Sequence, residues 1–167
     1  MTTNITTNIT TKDGTTLAVD TIGQGAPVIL IGGAFNDRST VAELGAELAS
    51  GFTVVTYDRR GRGASDDRSD DYLVANEIDD LAAVIEHVGG EASVFGHSSG
   101  AVLVLEGAMH GLPIDRVAVY EPRTAPTRTS RSHRPTSTTG SRACSPPGTA
   151  MAPQSFFSAR WSVSRPR

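Results

Sequence analysis

Short apolar runs alternate with longer segments of helical periodicity along the first 122 residues. Four runs are short, apolar and mostly β-branched, as strands buried on both faces must be. They span 28–31, 53–57, 92–95 and 117–120. Residues 8–22 alternate weakly around Asp13-Gly14, a pair that favours a tight turn, so two antiparallel strands are predicted there.

Three helices are predicted between these strands, at 40–49, 74–88 and 99–109. The first would bury Val41, Leu44 and Leu48 on one face. The second repeats apolar residues every three or four positions, at Val74, Ile78, Leu81, Val84, Ile85 and Val88. Alternating strands and helices predict an α/β fold with a mostly parallel sheet and helices on both faces.

Composition changes abruptly after Pro122. Residues 1–122 carry all 18 acidic side chains and seven Lys or Arg, a net charge of −11, whereas residues 123–167 carry eight Arg and no acidic residue. The last 45 residues also hold 16 Ser or Thr and six of the nine prolines. This composition predicts a disordered tail, because too little apolar surface is present to offset the entropy of ordering.

The remaining bulk properties exclude several classes of protein. Cys144 is the only cysteine, so no internal disulfide can form. No segment approaches the roughly 18 apolar residues of a membrane span, and the N-terminus has no apolar signal core. The Asn-Ile-Thr sequons at Asn4 and Asn8 are therefore interpreted as chance. We expect a cytoplasmic protein that does not bind a membrane.

The segment with the clearest chemical meaning is Gly96-His97-Ser98-Ser99-Gly100, which fits G-x-S-x-G. It lies directly after a predicted buried strand and directly before a predicted helix. In that setting a sharp turn exposes the serine Oγ, and flanking glycines allow close backbone approach. The turn also points the helix N-terminus and the Ser99 N–H at a developing oxyanion. Ser98 is thus the predicted nucleophile, and Gly96 and Gly100 its supporting glycines.

These features resemble the α/β-hydrolase superfamily over about residues 8–122. The segment from Val28 to Phe35 looks like the family's third strand and oxyanion loop, with Gly32-Gly33 where His-Gly is usual. By position, the resemblance implies backbone N–H groups of Ala34 and Ser99 as oxyanion donors. The segment from Tyr57 to Ser65 resembles the family's D-x-R-G-x-G-x-S loop, whose arginines brace a turn. It lacks the Lys-Ser/Thr of a phosphate-binding loop.

Other polar residues were weighed as site candidates. His97 occupies a variable position of the motif, where a structural role is the simpler interpretation. Asn36 and Asp37 follow the oxyanion loop, which places them at the mouth of a pocket. Ser99 could compete as nucleophile, but the glycine spacing selects Ser98. Asp58 follows the wrong strand for a triad acid, and we expect it to order its own turn.

The resemblance also implies a triad whose acid and histidine follow the serine in the chain. No Asp or Glu follows Glu121, and the only later histidine is His133. We therefore expect a domain over 1–122 that is truncated after the sixth strand, an exposed sheet edge, and little hydrolase activity. For 123–167 we hypothesise a reading-frame shift near codons 122–125, because shifting the frame back yields acidic residues and an amphipathic helix.

Two functions remain open at this stage. The first is a hydrolase of small-molecule esters or related acyl compounds, working through a Ser98 acyl-enzyme without cofactor or metal. The second is a non-enzymatic protein whose Arg-rich tail binds polyanions. The few clustered aromatics do not favour specific nucleic-acid binding.

Overall fold

The computed structural model describes residues 4–69 and 71–122, and all structural statements concern these residues. The predictions for the tail, 123–167, and its residue His133 lie outside them. The strands are β1 (Ile5–Thr10), β2 (Thr16–Ile22), β3 (Ala26–Ile31), β4 (Phe52–Tyr57), β5 (Ala92–His97) and β6 (Ile114–Tyr120). The helices are α1 (Ala42–Leu48), α2 (Val74–His87) and α3 (Ser99–Met109), and a 3₁₀ turn at Arg38–Val41 precedes α1.

The six strands form one mixed sheet in the order β1-β2-β4-β3-β5-β6. The strands β4, β3, β5 and β6 are parallel, whereas β1 and β2 pair antiparallel with each other and β2 pairs antiparallel with β4. The mostly parallel sheet is therefore confirmed. The hairpin strand β1 begins at Ile5, earlier than predicted, because Thr and Asn alternate there without an apolar pattern.

Helices cover both faces of the sheet, as predicted. Alternate strand residues such as Ile29 and Val94 pack against α2 and α3, where Leu81 and Val104 are fully buried. The intervening residues, for example Leu30, lie on the other face with α1. This alternation follows from the period of two along a strand.

Two predictions about helix faces were wrong. At α1 the buried residues are Val41 just before the helix, Gly45 within it and Ala49 just after it. The predicted Val41 and Leu48 pack against the core, whereas Leu44 is exposed. Gly45 explains the difference, because a Cβ there would lie only 3.4 Å from Val54 Cγ1, so the helix lies close to the sheet along its glycine. In α2 the first predicted core residue, Val74, is also exposed.

The buried polar side chains of α2 pair with arginines that follow β4. Arg60 is almost fully buried and forms a two-pronged contact with Asp80, with both N–O distances at 2.7 Å. Arg60 also donates to Asp13 in the β1–β2 connection. Burial raises the pKa of Asp80. The carboxylates of Asp80 and Asp13 raise the pKa of Arg60. This arginine thereby ties the hairpin, the β4 loop and α2 together.

Replacing Arg60 with Met should lower the free energy of unfolding by about 3–5 kcal/mol, because Asp80 would stay buried without its partner. The matched control is Arg68→Met, since Arg68 and Asp66 form an exposed pair worth about 0–1 kcal/mol. Urea unfolding followed by far-UV circular dichroism measures both. Equal effects of the two substitutions would contradict the role assigned to Arg60.

Asp13 should make stability fall in acid. The Thr11 hydroxyl, together with the Thr15 N–H and Arg60, holds the pKa of Asp13 well below its ordinary value of 3.8. A carboxylate whose pKa is depressed by folding stabilises the protein above its unfolded pKa, and this stabilisation disappears as the pH falls toward the folded pKa.

The free energy of unfolding in urea should therefore decrease from about pH 5 to about pH 2. Thr11→Val removes the donated hydroxyl, so we expect a shallower decrease for this variant. Thr11→Ser keeps the hydroxyl and should retain the parent slope. A parent slope in Thr11→Val would show that this hydrogen bond does not set the acid response.

Candidate functional site

The carboxyl ends of the parallel strands β3 and β5 define the location of the predicted site. The connection from β3 leads to β4 on one side, and the next connection leads to β5 on the other side of β3. In an open parallel sheet, ligands usually bind where the strand order reverses in this way, between the loops after β3 and β5. The sequence-predicted residues Ser98 and Ala34 both lie at this end of the sheet.

Ser98 occupies the turn between β5 and α3 with a positive φ of 55° and a ψ of −115°. A non-glycine residue in such a region costs on the order of 1–3 kcal/mol and persists only where neighbours impose it. Three backbone contacts do so here. The Ser98 N–H donates to the Tyr120 carbonyl at 2.9 Å, and the Ser98 carbonyl accepts from Ala101 and Val102.

The two glycines of the motif lie where no side chain fits. An ideal Cβ at Gly96 would lie 2.4 Å from the Gly100 carbonyl oxygen. One at Gly100 would lie 2.5 Å from the Gly32 carbonyl oxygen and 2.6 Å from that of Ile31. The start of α3 therefore touches the backbone at the end of β3, which is the close approach expected of these glycines.

The loop after β3 lies against Ser98. An ideal Cβ at Gly33 would lie 3.4 Å from Ser98 Cβ and 3.7 Å from His97 Nδ1. Ala34 follows and is half-buried, and the side chain of Phe35 is fully exposed. The structure thus brings the predicted oxyanion loop and the predicted nucleophile together.

Both predicted oxyanion donors carry unused hydrogens. Among residues 4–69 and 71–122, neither the Ala34 N–H nor the Ser99 N–H donates a hydrogen bond. Ser99 is the first residue of α3, an 11-residue helix without a side-chain N-cap. The positive end of the helix dipole therefore adds to the two N–H groups.

A buried ion pair contacts Ser99 from the other side. Arg59 Nη1 donates to Ser99 Oγ at 2.8 Å, and the remaining edge of the guanidinium binds both carboxylate oxygens of Glu77. Tyr72 donates its hydroxyl to Glu77, and Arg62 donates to Tyr72 at 3.0 Å. Burial, reinforced by repulsion from Arg59, lowers the pKa of Arg62.

Asp58 links the loop after β4 to the loop after β3. Its fully buried carboxylate accepts the Arg38 backbone N–H at 2.7 Å and the Ala64 N–H at 2.8 Å. It also pairs with the Arg38 guanidinium, which reaches Asp20. Asp58 therefore orders more than its own turn, since Arg38 begins the 3₁₀ turn that closes the oxyanion loop.

The other candidates have structural contacts. The His97 ring packs against Tyr120 with centroids 5.7 Å apart. Asp37 accepts the Ser39 N–H and so caps the 3₁₀ turn. His110 follows α3 and lies 2.8 Å through Nδ1 from the Glu106 carbonyl oxygen. In the part of the chain that the structure describes, no group of three His, Cys, Asp or Glu is arranged to hold a metal ion.

Glu77, Tyr72 and Arg62 were missed in the sequence. Glu77 lies on α2 and is buried, but helical periodicity counts any carboxylate as a solvent-facing position. One pattern could have indicated it. Arg59 and Arg60 are consecutive, and Glu77 and Asp80 lie three residues apart in a predicted helix. Residues three apart share a helix face, so two neighbouring arginines could pair with two carboxylates on that face.

Comparison with known proteins identifies the class. The model of the alpha/beta hydrolase family matches residues 28–167. The chain belongs to the alpha/beta hydrolase family. No helix within the described ranges is long and apolar enough to cross a membrane.

Similar proteins include enzymes of known and unknown activity. The chain is 38% identical over 96 residues to the bifunctional esterase/perhydrolase DCH of Acinetobacter calcoaceticus, covering 55% of this chain and 35% of that protein. It is 36% identical over 87 residues to the uncharacterized hydrolase YraK of Bacillus subtilis, covering 50% and 32%. The chain thus spans about a third of the length of these relatives.

Two solved structures extend the comparison. An alpha/beta hydrolase from Sphaerobacter thermophilus is 52% identical with a TM-score of 0.68, covering 70% of this chain and 45% of that chain. The N-formylmaleamic acid deformylase of Pseudomonas putida S16 is 27% identical with a TM-score of 0.65, covering 75% and 53%. These structures share the fold described above.

Gly100→Ala should destabilise the protein by at least about 1–3 kcal/mol, because the new methyl group would collide with the carbonyl oxygens of Ile31 and Gly32. Gly51→Ala is the matched control, since a Cβ at Gly51 has no neighbour within 4 Å. Thermal melting of both variants measures the difference. A Gly100→Ala melt at the parent temperature would contradict the close approach of α3 to β3.

Proposed function

We propose that this chain carries the nucleophile and oxyanion site of a serine hydrolase that acts on an ester or a related acyl bond. The observation that carries the proposal is the backbone of Ser98, which is held at positive φ between two glycines at the carboxyl end of β5. Such strain is found where a side chain must be presented to a ligand. The esterase/perhydrolase and deformylase names of two relatives support acyl chemistry.

In the proposed reaction Ser98 Oγ attacks the acyl carbon, and the carbonyl oxygen gains negative charge. The N–H groups of Ala34 and Ser99 receive this oxyanion, each worth about 2.7–4 kcal/mol in the transition state. The leaving group departs with a proton as the acyl-enzyme forms. Water then releases the acid and restores Ser98.

The proposed mechanism needs a base that accepts the hydroxyl proton of Ser98. No Asp or Glu follows Glu121, and the only later histidine, His133, lies outside the described residues. For the 167-residue chain itself we propose slow hydrolysis, roughly 10⁶-fold below a complete triad. The cytoplasmic location and the frame-shifted origin of residues 123–167 also remain proposals. The Arg-rich tail as a polyanion-binding element is the alternative, and family membership favours the hydrolase.

Ser98 should be the residue that reacts with an alkyl fluorophosphonate. Its Oγ would form the bond to phosphorus while the P–F bond breaks, with fluoride leaving and the serine proton passing to water. Intact-mass spectrometry and peptide mapping should find one adduct, on Ser98. Ser98→Ala should lose it, whereas Ser50→Ala, at an exposed serine, should react as the parent does.

Hydrolysis of p-nitrophenyl acetate gives a second measurement of the same proposal. The parent should turn over slowly, and Ser98→Ala should lower this residual rate little further, because the groups of a triad act as a unit and the sequence after Glu121 offers no evident base. An adduct on another residue, or unchanged labelling in Ser98→Ala, would contradict a Ser98 nucleophile. Turnover equal to that of the Acinetobacter relative would contradict the proposed slow rate.

A further inference from the structure

The guanidinium of Arg59 forms an ion pair with Glu77 and one further hydrogen bond, to Ser99. Its Nη2 donates to Glu77 Oε1 at 2.6 Å, and its Nε donates to the other carboxylate oxygen. This bidentate pair, buried on both sides, already compensates the charge. The remaining Nη1 is directed at Ser99 Oγ, 2.8 Å away.

Ser99 is the residue whose backbone we propose as an oxyanion donor. In many helices a serine near the N-terminus turns its hydroxyl back to cap the exposed N–H groups. Here α3 has no side-chain cap, and the Ser99 hydroxyl is occupied by Arg59 instead. Among the described residues the Ser99 N–H donates no hydrogen bond, and Arg59 holds the Ser99 side chain in place.

The contact also joins three segments that are far apart in the sequence. Arg59 follows β4, Glu77 lies in α2 and Ser99 begins α3. A buried guanidinium with three hydrogen bonds has little freedom to move. Because its N–H groups are fixed in one plane, displacing any partner weakens a hydrogen bond. The first turn of α3 is therefore held by Arg59 as well as by its close approach to the end of β3.

We propose that Arg59 is a positioning residue for the oxyanion site, acting through Ser99 Oγ on the orientation of the Ser99 backbone N–H. This inference rests on the proposed serine mechanism. Arg59 acts by geometry, because Glu77 cancels its charge. Its loss should affect the transition state, in which the N–H must point at the oxyanion, more than the initial binding of a reagent.

The test uses the full chain and the rate of fluorophosphonate labelling at Ser98 against reagent concentration. Ser99→Ala removes the acceptor but leaves the Arg59–Glu77 pair intact. We expect its maximal labelling rate to fall roughly 10- to 100-fold, as small misplacements of catalytic groups do. The half-saturating concentration should stay unchanged. Ser99→Thr keeps the hydroxyl and should recover most of the rate that Ser99→Ala loses.

A double-mutant cycle separates positioning from general stabilisation. Arg59→Lys should lower the maximal rate as Ser99→Ala does, and the double variant should be no slower than Ser99→Ala alone. Arg68→Lys is the matched control, because Arg68 is exposed and pairs with Asp66 rather than with Glu77. If far-UV circular dichroism shows that Arg59→Lys does not fold, the comparison of Ser99→Ala with Ser99→Thr still tests whether the Ser99 hydroxyl is needed.

Amide hydrogen exchange supplies a readout that needs no reaction. The N–H groups of Ala101 and Val102 donate to the Ser98 carbonyl. Their exchange should accelerate in Ser99→Ala and Arg59→Lys but not in Arg68→Lys. Parent labelling and parent exchange in both variants would overturn the positioning role and leave Ser98 as nucleophile. Unchanged labelling in Ser98→Ala would overturn the serine mechanism itself, and if the parent is not labelled for want of a base, amide exchange decides the positioning role.

Discussion

Between the first turn of α3 and the carboxyl end of β3 there is no space for a side chain. An added Cβ at Gly100 would lie within 2.6 Å of two carbonyl oxygens of β3 and its loop. This contact forces the chain to turn sharply after β5, and the sharp turn places Ser98 at positive φ. Because β3 and β5 are neighbours at the point where the strand order reverses, the same contact brings the β3 loop beside Ser98.

The strain at Ser98 has to be balanced by interactions around it, and buried charge supplies much of the restraint. Three consecutive residues after β4 contact four other parts of the chain, namely the 3₁₀ turn, α2, the start of α3 and the β1–β2 connection. Asp58 binds Arg38, Arg59 binds Glu77 and Ser99, and Arg60 binds Asp80 and Asp13. Buried ion pairs add little net stability compared with apolar packing, but they define one arrangement because a misplaced charge is costly. The loop after β4 therefore holds both the segment after β3, through Arg38, and the start of α3, through Ser99.

Most of the fold could be predicted because its core strands are apolar runs bounded by glycines or polar turns. The order of elements and the Ser98 turn follow from local pattern alone. Leu44 could not be placed correctly, since the packing of α1 depends on Gly45 lying close to Val54, a tertiary contact without a periodic signature. Glu77 and Asp80 were missed for a related reason, because their burial requires arginines from a distant segment.

The same distinction applies to the candidate site. A motif of five residues specifies the turn and the proposed nucleophile, whereas the contacts around the neighbouring N–H groups come from residues far away in sequence. Edge strand β6 illustrates this dependence: its Tyr120 carbonyl accepts the Ser98 N–H, while Val117 and Val119 are partly exposed. The residue that presents the reactive oxygen is thus held by an edge strand on one side and by the start of its own helix on the other. Any change in how β6 packs would therefore be transmitted through one hydrogen bond to Ser98.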